Sequence, residues 1–300
     1  MWPLSSRRPS LARLSSRRGC VPLCAAFLAV LPLGVDGQEV SRWFPEVRPF
    51  KSLIAPPREI QFRTSVILAE RPTEGTYEGR NFEAEVVVGH QFPVLLLTGD
   101  VSSDRAVTLG LETGVFSRFF LETEQNDQVN TDYRVGMPIS FRRGAWQARI
   151  TLRHISSHLG DDYIGRFLAD VIDTDVGQST RDGIETIVAR TFASGGRFYV
   201  GGDYNFHTNK RLSKGGFRWG GEWDPVSPGR SSAVWPFLAA DLEYTTFAER
   251  WGTTIVAGMG ARVGARTLRL ETRVRLGSTP LGHFRESAET FFGVGISLQL

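Results

Sequence analysis

The sequence has little cysteine and no long uninterrupted apolar run. Its two cysteines, Cys20 and Cys24, both lie near the start of the chain, so the remainder cannot form a disulfide scaffold or a cysteine-ligated metal site. Beyond residue 37 the longest apolar run covers residues 233–240, far short of the roughly 20 residues that a membrane-spanning helix needs. With 41% hydrophobic and 22% charged residues, the composition also excludes a disordered or collagen-like chain.

Positive charge is concentrated at the N-terminus. The formal net charge is +3, and five arginines lie within the first 18 residues. Residues 21–33 then form an apolar stretch that is followed by small and polar residues, a layout typical of a secretory signal peptide. We predict a signal peptide at residues 1–37. Its removal makes the net charge slightly negative, so no nucleic-acid partner is predicted.

The rest of the chain alternates apolar residues with polar or small ones. In residues 268–276, for example, leucine, threonine and valine at every second position alternate with arginine and glutamate. Such a period of two is typical of β-strands with one apolar face. Twelve strands of this kind are predicted at about 59–69, 80–90, 105–116, 131–142, 145–157, 184–192, 197–206, 213–223, 234–245, 253–263, 268–276 and 292–300.

The connections between these strands alternate between short and long. Short ones at 142–145, 193–196 and 264–266 contrast with long polar ones at 117–130, 158–183 and 278–289. Together with the even strand count, this asymmetry predicts an all-β fold, a closed antiparallel up-and-down transmembrane β-barrel of about twelve strands. The predicted location is the outer membrane of a Gram-negative bacterium. A secreted soluble all-β binding protein is the alternative, because a sandwich also alternates its faces.

Residues 38–58 differ from the barrel region at 59–300. Four prolines in this segment forbid a central strand, so we interpret it as an extended periplasmic lead-in or as a plug. Long side chains on the polar strand faces are expected to fill much of the lumen and to leave at most a narrow channel. These side chains are Arg149, Arg153, Arg218, Arg269 and Arg273.

Several short segments resemble a family of exported bacterial proteins, domain of unknown function 1207. They are residues 44–46 (FPE), 53–59 (LIAPPRE), 154–162 (HISSHLGDD) and 239–242 (AADL). The resemblance covers the chain from about residue 44 to 300. It implies a Gram-negative protein of the outer-membrane barrel type with a single domain, and it leaves the activity open.

One pair of residues could carry chemistry. Counting by twos from Trp146 and Ile150 places His154 and Ser156 on the lipid-facing side of their strand, near the outer rim. An imidazole beside a hydroxyl can activate it as a nucleophile toward a lipid acyl ester. The pair is similar to the His-x-Ser pair of outer-membrane phospholipases and lipid A deacylases, and Glu185 is the first candidate for the acid that orients His154. The alternative is a polar strand end without catalytic function.

Carboxylates cluster in the loop that follows this strand. Asp161 and Asp162, with further aspartates up to residue 175, could bind Ca²⁺ or bridge lipopolysaccharide through it. They also provide the second and third candidates for the acid that orients His154. A solvated acidic loop is the alternative, because the spacing of a dedicated calcium loop is lacking.

These observations predict a structural or narrow-channel role in the outer membrane, with a serine-type lipid acyl hydrolase as the alternative. Outer-membrane lipid, lipopolysaccharide and the barrel-assembly machinery are the expected partners. The terminal Leu300 departs from the aromatic residue that commonly ends such barrels and that this machinery reads.

Overall fold

The computed structural model describes most of the chain from residue 42 onward. The described residues are 42–71, 79–99, 104–167, 178–209, 214–225, 234–246, 249–264, 266–284 and 287–299. The chain divides into two units, residues 1–39 and 40–300, and all described residues belong to the second. The predicted signal peptide at residues 1–37 therefore lies outside the described residues.

The described residues form one antiparallel sheet and one short helix, α1 (Asp161–Phe167). No helix within the described ranges is long and apolar enough to cross a membrane. The strands are β1 (Arg42–Trp43), β2 (Phe62–Arg71), β3 (Gly79–Gly99), β4 (Arg105–Phe120), β5 (Gln128–Arg143), β6 (Trp146–Leu159), β7 (Gln178–Thr191), β8 (Gly196–Thr208), β9 (Gly215–Trp223), β10 (Val234–Thr245), β11 (Arg250–Val263), β12 (Arg266–Ser278) and β13 (Ala288–Gln299).

The sheet closes into a barrel of twelve strands. Each strand from β2 to β13 pairs antiparallel with the next one along the chain, and β13 pairs with β2. The predicted closed up-and-down barrel is thereby confirmed. Most strand ends lie within about four residues of the predicted ones, and the two largest differences are at β3, which continues to residue 99 instead of 90, and at β7, which begins at residue 178 instead of 184. Among the described residues, every strand from β2 to β13 therefore has a paired neighbour on both sides, which is what backbone groups in a hydrocarbon environment require.

One end of the barrel, which we call the short-turn end, carries tight turns. Arg143 pairs directly with Trp146, so only Gly144 and Ala145 connect β5 to β6. Gly144 has φ +56°, a left-handed conformation that glycine adopts without strain and that two-residue hairpins favour. The opposite end, the long-loop end, includes the connections at 121–127, 160–177 and 279–287.

Apolar side chains face outward and charged side chains face the lumen. On β12, Leu270 is 58% exposed whereas its neighbours Arg269 and Glu271 are 4% and 2% exposed. On β13, Phe292, Val294 and Ile296 are likewise exposed. In a soluble protein the apolar side chains are inside and the charged ones outside, so this barrel has the opposite arrangement. Buried charged residues of this kind are normally found only where they are paired.

Residues 44–61, which we call the plug, lie inside the barrel. The chain first runs along β3, where Arg42 and Trp43 pair with Leu96 and Leu95, and it then turns inward after Phe44. From Val47 onward the plug's apolar side chains are buried against apolar patches of the inner wall. The sequence left open whether residues 38–58 form a periplasmic lead-in or a plug. Residues 45–58 lie in the lumen as a plug does, Arg42 and Trp43 pair with β3, and residues 38–41 lie outside the described residues.

The plug contacts strands on all sides of the lumen. Phe50 and Leu53 pack with Ile187 and Tyr199 on β7 and β8, and Ile54 and Ala55 pack with residues of β10 and β11. Arginines of the wall donate hydrogen bonds to plug carbonyl oxygens. These bonds join Arg197 to Lys51 and Ser52, Arg273 to Ile54 and Ala55, and Arg63 to Pro57, at 2.8–3.2 Å.

A segment of the β12–β13 connection folds in from the long-loop end. Leu281 is buried, and the Gly282 amide donates a 3.1 Å hydrogen bond to the Asp132 carboxylate. The plug meets this segment at Arg58, which donates a 2.5 Å hydrogen bond to the carbonyl oxygen of Pro280 and pairs with Asp132. A cavity of only about 20 Å³, room for about one water molecule, remains between them.

Candidate functional site

The predicted site lies on the outer face of β5, β6 and β7, toward the long-loop end. The register places Ser156 between Tyr133 on β5 and Thr180 on β7, and it places His154 opposite Asp182 on β7. Trp146 on the same face of β6 is 54% exposed, whereas Arg149 and Arg153 on the other face are buried. The strand parity on which the sequence argument depended is therefore as predicted.

His154 forms a pair with a carboxylate on the neighbouring strand. Its Nδ1 atom lies 2.6 Å from Oδ1 of Asp182. Both side chains are partly exposed, at 52% and 36%. Such a contact fixes the orientation of the imidazole ring and favours a proton on Nδ1.

Ser156 contacts His158 instead of His154. The hydroxyl oxygen of Ser156 lies 2.5 Å from Nε2 of His158, two residues further along the same face of β6. The ring of His158 in turn packs edge-on against Tyr133, with ring centroids 5.7 Å apart. The described residues therefore form two separate pairs, a serine with a histidine and a histidine with an aspartate.

Glu185 does not lie beside His154. Its side chain faces the lumen, where its carboxylate is 3.2 Å from Arg134, 3.2 Å from Arg153 and 3.6 Å from Arg149. Its position on β7 is three residues beyond Asp182, so its parity is opposite and the sheet separates it from the outer face. The carboxylate that contacts His154 is therefore that of Asp182 and not that of Glu185.

Asp161 and Asp162 occupy the first turn of α1 and are exposed. Within the described ranges, no group of three or more histidine, cysteine, aspartate or glutamate side chains is placed to hold a metal ion. The further aspartates of this loop, at positions 170, 173 and 175, lie outside the described residues. The calcium site at Asp161 and Asp162 stays a prediction.

Sequence reasoning missed His158 and Asp182. His158 shares the parity of Ser156, so a search of both neighbouring outward positions would have found it as well as His154. Asp182 was missed because β7 was predicted to begin at residue 184, which left position 182 in a loop. Alternation in residues 178–184 is weak, since these residues are almost all polar.

The family follows from the sequence match. Residues 28–299 match the family described as protein of unknown function (DUF1207). The chain belongs to this family. The match spans the barrel and the plug together, and it confirms the resemblance seen in residues 44–46 and the other short segments. No curated protein matches the chain.

Among solved structures, the barrel is similar to outer membrane phospholipases. The phospholipase A of Escherichia coli superposes with a TM-score of 0.53 at 13% identity, covering 80% of this chain and 90% of that one. The Salmonella typhi outer membrane phospholipase dimer with bound calcium gives a TM-score of 0.53 at 14% identity, with the same coverage. At this identity the likeness shows the fold alone, which is that of an outer-membrane β-barrel.

Proposed function

We propose that this protein resides in the outer membrane and acts at its lipid-facing side and its long-loop end, not through its lumen. The single observation that carries this proposal is the filled barrel. The plug enters from the short-turn end, and the segment around Leu281 descends to meet it at Arg58. A filled barrel of this kind fits a structural role in the envelope, with a narrow channel at most, better than it fits the role of a porin.

The outward face supports the membrane location. The outward leucine, valine, isoleucine and aromatic side chains that are exposed on the barrel strands have 37–58% of their surface accessible, which in water would form an apolar patch far larger than monomers tolerate. A surrounding lipid bilayer would shield these side chains from water. The short-turn end, where the plug enters, would face the periplasm. Surrounding lipopolysaccharide and assembly by the barrel machinery belong to the same proposal.

Cell fractionation tests the location. We expect the protein in the outer-membrane fraction, with a gel mobility that changes on heating because the closed barrel resists detergent until it is boiled. A soluble periplasmic maltose-binding protein serves as the fractionation control. Recovery in the soluble fraction, or a mobility that heat leaves unchanged, would refute the location and favour a secreted all-β protein.

A second candidate function is hydrolysis of a lipid acyl ester, and the contact between Ser156 and His158 favours it. In this scheme Ser156 Oγ attacks the ester carbonyl carbon and its proton passes to Nε2 of His158. The imidazolium then protonates the leaving alcohol, and water hydrolyses the acyl-serine. The similar fold of the phospholipases supports this candidate at the level of architecture only.

Fatty-acid release from phospholipid by purified protein tests the hydrolase. If it is an enzyme, Ser156→Ala and His158→Ala should each lower the rate by roughly a thousandfold or more, because the two groups act as a unit. His90→Ala, at a histidine of β3 that contacts Arg48 and Phe92 and lies away from this site, is the matched control and should keep the wild-type rate. His154→Ala separates the two pairs, since it should cost less than His158→Ala. Equal release by wild type and Ser156→Ala would remove the catalytic assignment.

A further inference from the structure

A row of arginine and aromatic side chains crosses five strands on the outer face at the short-turn end. The pairing register aligns Arg105 on β4 with Arg143 on β5, Arg143 with Trp146 on β6, Trp146 with Arg190 on β7, and Arg190 with Phe198 on β8. All five side chains are exposed. We call this set the arginine row.

The arginine row concentrates positive charge where cross-strand pairing makes it costly. Arg105 and Arg143 are directly opposite each other, and like charges in that relation destabilise a sheet. Neither Arg143 nor Arg190 forms an ion pair with any carboxylate that the structure describes. Among the described residues, the carboxylate nearest to the row in sequence is Asp104, beside Arg105, and the three arginines outnumber it.

The aromatic rings fix the position of this charge. The Arg190 guanidinium lies over the ring of Trp146 and over the ring of Phe192, 5.4 Å from each centroid. Both rings are about half exposed on the outer face. Tryptophan at such a position sits at the boundary between hydrocarbon and headgroups, and a stacked arginine keeps its remaining donors directed to the headgroup layer.

We infer that the arginine row binds the phosphate group of an anionic phospholipid in the leaflet at the short-turn end. Guanidinium forks donate paired hydrogen bonds to phosphate oxygens, and Trp146 lies where the adjoining acyl chains would pack. The lipid phosphate would also offset the repulsion between Arg105 and Arg143. This inference rests on the membrane location proposed above.

Lipid retention by purified protein tests the inference. The protein is reconstituted with equal amounts of phosphatidylglycerol and phosphatidylcholine, extracted in mild detergent, and its bound lipid is counted by native mass spectrometry. We expect roughly a tenfold preference for phosphatidylglycerol in the wild type. The double variant Arg143→Gln/Arg190→Gln should lose it.

Arg266→Gln is the matched control, because Arg266 is an exposed outward arginine at the same end but on β12, opposite Val263. This control should keep the preference. Loss of selectivity in Arg266→Gln as well would reduce the effect to general surface charge and overturn the site. Equal retention of both lipids by the wild type would overturn it too.

Two further measurements separate the remaining outcomes. Excess inorganic phosphate should leave the lipid bound, since free phosphate has no acyl chain to pack on Trp146, and displacement would assign the row to a free anion instead. Reconstitution itself reports on the membrane location. A protein that inserts into lipid but does not select phosphatidylglycerol contradicts the arginine row alone, whereas a protein that stays soluble contradicts the proposed location.

Discussion

Buried arginines are the most unusual residues of this barrel. Arg118, for example, is completely buried and contacts the carboxylates of Glu83, Glu85 and Glu289 at 2.6–2.9 Å. A buried guanidinium is tolerated only where carboxylates or carbonyl oxygens replace the water that it has lost. The lumen supplies both, because the wall contributes most of the carboxylates and the plug contributes carbonyl oxygens and the carboxylate of Glu59.

The pair of Glu59 and Arg149 offers the sharpest test at this scale. Both oxygens of Glu59 accept hydrogen bonds from Arg149, at 2.7 and 2.9 Å, and both side chains are buried. Glu59→Gln removes the closest counter-charge, so we expect it to lower the free energy of unfolding by about 3–5 kcal/mol. Urea unfolding of the refolded protein in lipid vesicles measures this loss.

Two control variants accompany this measurement. Glu124→Gln removes an exposed carboxylate of the long-loop end and should shift the unfolding free energy by less than about 0.5 kcal/mol. Glu59→Met combined with Arg149→Met removes both charges and should recover much of the loss, because no unpaired charge is left buried. A Glu59→Gln variant as stable as wild type would show that the pair does not anchor the plug.

At the scale of elements, strand existence was predictable and strand ends were not. All twelve barrel strands were predicted from a period of two, because lipid on one side and a polar lumen on the other force that period on the sequence. The ends lack this constraint. Residues 178–183 of β7 extend toward the long-loop end, where both faces are polar and the alternation disappears.

The plug shows a different limit of sequence reasoning. Its four prolines exclude a central strand but say nothing about whether the segment lies inside or outside the barrel. Its placement depends on partners far apart in the chain, such as Arg197 with Lys51 and Arg273 with Ala55. The prediction of the candidate site was incomplete for the same reason. Strand parity predicted the face on which His154 and Ser156 lie, but it could not predict that Ser156 contacts His158 or that His154 contacts Asp182.

At the scale of the whole molecule, the barrel is closed from both ends by its own chain. The plug fixes its carbonyl oxygens to wall arginines, and Arg58 links it to the segment that carries Pro280 at the long-loop end. Ion pairs such as Arg275 with Glu243 occupy the space that the plug leaves. A solute would have to break many of these contacts at once in order to pass.

Planar-bilayer recording therefore provides the last prediction. We expect the wild-type protein to give at most a small conductance, because both the plug and the paired side chains obstruct the lumen. Deletion of residues 44–58 should convert this to resolvable current steps, since it removes most of the plug and leaves the wall strands in place. Heat-modifiable gel mobility of the deletion variant must first show that its barrel is closed. If that barrel does not form, Arg197→Gln combined with Arg273→Gln loosens the plug in the full chain and should raise the conductance by a smaller amount. Large, stable, porin-like currents from the wild type would contradict the closed lumen.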